Sequence, residues 1–234
     1  MFNTYWIRFP CGDLTFDRAT KNVQSLIDAA RRTGVRRFIH VSITNASADS
    51  PLPYFSCKGI VEQYLTNSGL SYAILRPAII FGSHDILLHN ITWMLRRFPL
   101  FTIPGSGNYR LQPVFVGDLA QLAADTANEE RDLAIDAVGP EIFTFNELVA
   151  LLAKTVASKA LIVHVSPSVE LILARFFNRL TGDVTLTRDE IQGLMLDLLV
   201  SKNAPTATTR LTEWLAGNAE MMGTSYRSEV SRRA

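Results

Sequence analysis

Ser42, Tyr54 and Lys58 are the residues in this chain whose types and spacing could do chemistry together. A phenol titrates near 10, too high for a base at neutral pH. Lys58 follows Tyr54 by four positions, one helical turn later on the same face. An ammonium there favours the phenolate by Coulomb attraction. Tyr54 could then give or take a proton at a carbonyl or alcohol oxygen. The Ser42 hydroxyl could hold that same oxygen, and Lys58 could reach the ribose hydroxyls of a nucleotide. Taken singly, these types have ordinary duties, such as a strand-end serine bonding backbone. Their order along the chain gives them meaning.

The elements that must position them are legible. Residues 37–43 read as an apolar strand with Ser42 near its end, and 44–53 as a polar loop. A helix opens near Tyr54, and Gly69 stops it. A second strand runs over 72–75 and ends at Arg76-Pro77. A right-handed strand–helix–strand crossover makes the two strands parallel neighbours. Ser42, Tyr54 and Lys58 then gather at the carboxyl ends of the strands, where open α/β sheets bind ligands.

Ser42, the YFSCK run at 54–58 and the LRPAIIFG run at 75–82 resemble the second half of an extended or atypical short-chain dehydrogenase/reductase. These are the NAD(P)-binding epimerase, dehydratase and reductase relatives. PVFVGDL at 113–119 is similar to that family's strand before its next helix. The resemblance covers about residues 8–159. It implies NAD or NADP as cofactor, with Tyr54, Lys58, Pro77, Ala78, Ile79 and Ile80 touching it. It also implies that Asn22 is the helix asparagine near the active site, in the proton path. TYWIRF at 4–9 and VSIT at 41–44 resemble the branch that contains the nucleotide-binding accessory subunit of respiratory complex I. Three readings stand open. One is an oxidoreductase or epimerase acting on a small-molecule substrate. Another is an accessory or assembly protein with a respiratory-complex partner. The third is an incomplete fragment with no independent activity.

Composition bounds the alternatives. The 234 residues are 47% hydrophobic and 19% charged, enough for one sizeable core and a smaller lobe. A net charge of +1 gives no field toward nucleic acid. Cys11 and Cys57 have neither metal-site nor disulfide-framework spacing. No apolar run is long enough to span a bilayer, and no secretory signal opens the chain. The expectation is a cytoplasmic protein, with docking at the edge of a membrane complex left open.

Along the rest of the chain, Thr15 reads as the cap of a helix that Gly34 closes, with Ala19, Val23, Ile27 and Ala30 as its core stripe. Helices are expected over 84–98, 118–127, 145–156, 167–180, 188–199 and 210–227, with strands over 111–116, 133–138 and 160–165. Gly105-Ser106-Gly107 reads as a hairpin turn between two strands.

A dinucleotide site of the family begins with a strand, a glycine-rich turn and a helix N-terminus for the pyrophosphate. This sequence carries no such run. The fold expected is therefore α/β, a Rossmann-like parallel sheet shorn of its first elements, with a mostly helical C-terminal lobe. The boundaries expected are 1–138 for the nucleotide part and 139–234 for the lobe, with 84–111 contributing to the latter. A misplaced start, a gene fragment or a short natural protein would each produce this pattern. Cofactor binding is expected to be weak.

Overall fold

The structure is a computed structural model, and it describes residues 1–232. In chain order the elements are β1 (Phe2–Asn3), α1 (Phe16–Arg32), β2 (Arg37–Val41), α2 (Pro53–Thr66), β3 (Ser71–Pro77), β4 (Ile79–Phe81) and α3 (Leu87–Arg97). Then come β5 (Leu100–Pro104), β6 (Arg110–Leu111), β7 (Pro113–Phe115), α4 (Val116–Thr126), β8 (Leu133–Ala137), β9 (Phe143–Thr144) and α5 (Phe145–Thr155). The last are β10 (Leu161–Val165), α6 (Pro167–Thr181), α7 (Arg188–Met195), α8 (Leu211–Asn218) and a 3-10 turn, Val230–Arg232.

The central sheet is parallel, in the order β1-β2-β3-β8. Arg37 pairs with Ser71 and Val41 with Leu75, so β2 and β3 are neighbours, as a strand–helix–strand crossover requires. Side chains alternate across the sheet. Phe38 and Ile74 face α1 and α2, where they meet Val23, Ile27, Val61 and Leu65. Ile39, Ala73 and Leu75 face α4 and meet Leu119. Both faces of β2 and β3 are covered, and this accounts for their near-continuous apolar sequences. A second, larger core joins Phe81, Leu88, Ile91 and Leu95 to Ile103, Leu148, Leu152 and Leu211.

Local sequence sets the helix starts near the site. Thr15 accepts from the Arg18 amide and caps α1. Pro53 occupies the first turn of α2, where its missing N–H costs nothing. Gly69, at φ 78°, supplies the left-handed turn into β3 that a β-carbon would strain.

Three local expectations are corrected. The Gly105–Gly107 turn is no hairpin: β5 pairs with β10 and β6 with β9, so the turn passes the chain between two separate ribbons. The helix expected over 188–199 stops at Met195. Asp197 there adopts φ 54°, its carboxylate accepts from the Arg110 amide at 2.6 Å, and the chain extends to bridge Leu199 to Leu111. The helix expected over 210–227 stops at Asn218. Gly223 beyond it lies against the Thr92–Trp93 backbone, closer than any β-carbon permits.

Candidate functional site around Tyr54

The loop after β2 is held from two sides. The Ser42 and Thr44 amides donate to the Leu75 and Pro77 carbonyls, at 2.7 and 2.9 Å. Asn45, in a left-handed conformation at φ 55°, donates to the Leu198 and Val200 carbonyls, both at 2.9 Å. Asparagine tolerates this conformation better than most residues. The loop thus ties the sheet to the segment after α7 and delivers the chain to the first turn of α2.

Lys58 projects from α2 toward the end of β2 and is buried, 2% exposed. Its ammonium donates to the Val41 carbonyl at 2.8 Å and lies 4.5 Å from the centre of the Trp6 ring. Burial pulls its pKa down to about 7, against the opposing pull of Glu62. His40 and Ser42 share one face of the strand by the two-residue period. The Asn3 amide contacts His40 Nδ1 at 2.9 Å. His40 Nε2 and Ser42 Oγ are buried with no hydrogen-bond partner among the described residues. Burial, followed by the Lys58 charge, holds His40 well below the usual imidazole range.

Tyr54 packs edge-on to Trp6, Phe16 and Phe55, with ring centres 6.3, 5.9 and 5.6 Å away. Its pKa is raised, first by burial, then by Glu190 and Glu229, while Arg8 opposes. Here the structure departs from the sequence expectation. Burial first, and Glu190 after it, rather than the Lys58 ammonium, set the protonation of the phenol, so Tyr54 is held as an acid. The Arg8 guanidinium is itself engaged, with Nε 2.5 Å from Glu190 and Nη1 3.7 Å from Glu229.

The expected site residues divide. Tyr54, Ala78, Ile79 and Ile80 line one cavity of about 1030 Å3, bounded also by α3, β5, α6 and α7. Ser42 and Lys58 are not part of that lining: Ser42 directly follows β2, and the Lys58 ammonium reaches the Val41 carbonyl at the end of that strand. Pro77 is buried in β3. Asn22 is exposed on α1, and its amide donates to the Tyr5 hydroxyl at 3.0 Å. Sequence reasoning missed His40, Trp6, Arg8, Glu190 and Glu229. His40 was within reach, because it precedes Ser42 by one strand period. Glu190 and Glu229 arrive from distant segments and leave no local signal.

Ser42, His40 and Lys58 offer buried polar atoms at the carboxyl end of a parallel strand, where open α/β sheets bind ligands. The pyrophosphate half of a nicotinamide dinucleotide is not matched in the same way. Among the described residues, no glycine-rich turn leads from a strand into a helix N-terminus.

Residues 11–84 match a family described as NAD(P)H-binding. The chain has a Rossmann-like α/β fold, the fold of the NAD(P)-dependent reductases and epimerases it aligns with. It aligns with an NADPH-dependent quinone oxidoreductase from Escherichia coli, complexed with NADPH, at a TM-score of 0.71 and 19% identity, over 89% of this chain and 74% of that one. A nucleoside-diphosphate-sugar epimerase from Staphylococcus aureus aligns at 0.67 and 17% identity, over 89% and 75%.

Several curated relatives are named as subunits of NADH dehydrogenase [ubiquinone] or NADH-ubiquinone oxidoreductase. The NADH dehydrogenase [ubiquinone] 1 alpha subcomplex subunit 9 of Arabidopsis thaliana is 25% identical over 75% of this chain and 46% of its own length. The NADH-ubiquinone oxidoreductase 40 kDa subunit of Neurospora crassa is 25% identical over 88% and 55%. This chain spans about half the length of the curated relatives it matches. Among the described residues, no helix is long and apolar enough to cross a membrane.

Proposed function

We propose that this protein acts, or descends from proteins that act, as an NAD(P)-dependent oxidoreductase or epimerase at an alcohol or carbonyl carbon. The observation that supports the reading is Tyr54 at the wall of a large cavity, on the same helix as Lys58, whose ammonium reaches the end of β2 next to the unpartnered Ser42 hydroxyl. In this reading residues 1–138 form the nucleotide part, and 139–234 with 84–111 form the substrate lobe. Bound NAD(P)H supplies the hydride. Tyr54, held as a phenol by burial and by Glu190 and Glu229, gives a proton to the substrate oxygen. Ser42 holds that oxygen, and Lys58 holds the ribose hydroxyls. Asn22 serves the proton path once its amide leaves Tyr5.

A second reading has specific support. Trp6 covers the Lys58 ammonium and Val41 accepts from it, while Tyr5 engages Asn22. These contacts suit a nucleotide domain kept for assembly, peripheral to a respiratory complex, as the names of the curated relatives suggest.

Binding separates the readings. Each missing charge-assisted hydrogen bond to the pyrophosphate costs about 1.5–3 kcal/mol, and about 1.4 kcal/mol is tenfold in affinity. Two or three such losses carry a micromolar dissociation constant toward the millimolar range. Calorimetric titration of the 234-residue chain with NAD, NADH, NADP and NADPH measures it. Micromolar binding, together with carbonyl reduction that Tyr54→Phe lowers at least a hundredfold, establishes the enzyme. Millimolar binding without turnover leaves the assembly reading.

A further inference from the structure

The cavity in front of Tyr54 carries an unbalanced set of charges. Five carboxyl groups line it: Asp85, Glu170, Asp189, Glu190 and Glu229. The one guanidinium among its described lining residues, Arg8, is already paired with Glu190 and Glu229. Burial pushes Asp85 up to about 6 and raises Glu170 as well, so the site already resists the negative charge it holds. A nucleoside diphosphate sugar would bring two more negative charges into a lining where, among the described residues, carboxyl groups outnumber the guanidiniums of Arg8 and of Arg227, which lies beside Asp85. Like charges in a poorly solvated site repel strongly.

The rest of the wall is apolar. Leu87, Phe98, Leu100, Leu173 and Phe176 line the cavity and are still 39%, 41%, 48%, 42% and 67% exposed. Contiguous exposed apolar surface of this kind marks a binding site. At about 1030 Å3 the cavity lies at the upper end of the roughly 300–1,000 Å3 usual for small-molecule sites.

We infer that this cavity selects an uncharged, largely apolar carbonyl compound or alcohol, bearing a long chain or several rings, and rejects nucleotide sugars and other anions. The inference rests on the reading of Tyr54 as the group that meets the substrate oxygen. The apolar residues remove the tail from water, and the acidic lining excludes phosphates and carboxylates.

The test reads binding directly, so it does not depend on turnover. The 234-residue chain is titrated with the neutral dye N-phenyl-1-naphthylamine. The dye is then competed with 2-dodecanone, dodecanoate and UDP-glucose, and calorimetry with 2-dodecanone provides a dye-free check. The expected result is displacement by the ketone at micromolar concentration, at least tenfold weaker displacement by dodecanoate, and none by UDP-glucose. Leu173→Asp, at a partly exposed position, weakens dye and ketone at least tenfold while the urea midpoint stays unchanged. Tyr54→Phe keeps ketone binding within about threefold, so loss of turnover in that variant tests the chemistry separately from the selectivity. Displacement by UDP-glucose as strong as by the ketone overturns the inference, and so does the absence of both dye and ketone binding. Unchanged ketone binding by a folded Leu173→Asp chain also overturns it.

Discussion

Replacing Lys58 by methionine isolates the most costly charge near the site. Lys58 is 2% exposed, and burial moves its pKa from an ordinary 10.5 to about 7. The folded value lies below the unfolded one. Its contribution to stability is therefore complete above the unfolded pKa and is lost as pH falls toward the folded pKa. Between these values the unfolded chain binds a proton that the folded chain sheds. Stability should then rise by about 1.4 kcal/mol per pH unit from this group alone. From about pH 7.5 to about pH 9 that amounts to roughly 2 kcal/mol, an order-of-magnitude figure. The Trp6 ring, 4.5 Å from the ammonium, favours the charged form and makes this an upper value. Methionine fills a similar volume and carries no proton. It also leaves the Val41 carbonyl without its donor, a cost of about 1–3 kcal/mol that does not vary with pH. Urea unfolding of both proteins across this range measures the effect. The native stability curve should climb relative to that of Lys58→Met. Parallel curves, separated by a constant within about 0.5 kcal/mol, would refute the assignment of a desolvated amine to this position.

Two further outcomes follow from packing and charge pairing. Arg76 and Glu62 form a bidentate pair, with the Glu62 side chain 8% exposed and Arg76 31%. Arg76→Met should cost about 3 kcal/mol, because it strands the Glu62 carboxylate, and adding Glu62→Leu should recover most of it. A double variant no more stable than the single one would show that the carboxylate is not the source of the loss. Gly59 lies inside α2, and a β-carbon there would collide with the Ser47 and Ala48 backbone. Helix propensity favours alanine by about 1 kcal/mol, and overpacking against backbone costs about 1–3 kcal/mol or more. Gly59→Ala should therefore lower the urea midpoint. A raised midpoint would mean that α2 does not press on the loop after β2.

The sheet and its helices were legible in the sequence because their signals are local. The Thr15 cap, the Ala19–Val23–Ile27–Ala30 stripe, the apolar run of β2 and the Gly69 stop each lie within a few residues of what they define. The four-residue spacing also puts Tyr54 and Lys58 on one side of α2. Where their side chains end was decided by tertiary structure. Trp6 folds over Lys58, and Tyr5 engages Asn22, from a segment that contacts α1 and α2 only after the chain has folded back. Glu190 and Glu229 reach the phenol across well over a hundred residues of sequence and add to the burial that keeps it protonated. The same holds for the failed hairpin at Gly105–Gly107: glycines at positive φ specify a turn, but only the competition among β5, β10, β6 and β9 decides which strands pair across it. Local propensity reports backbone shape. Burial and long-range Coulomb fields set the protonation state of a site, and those exist only when distant segments meet.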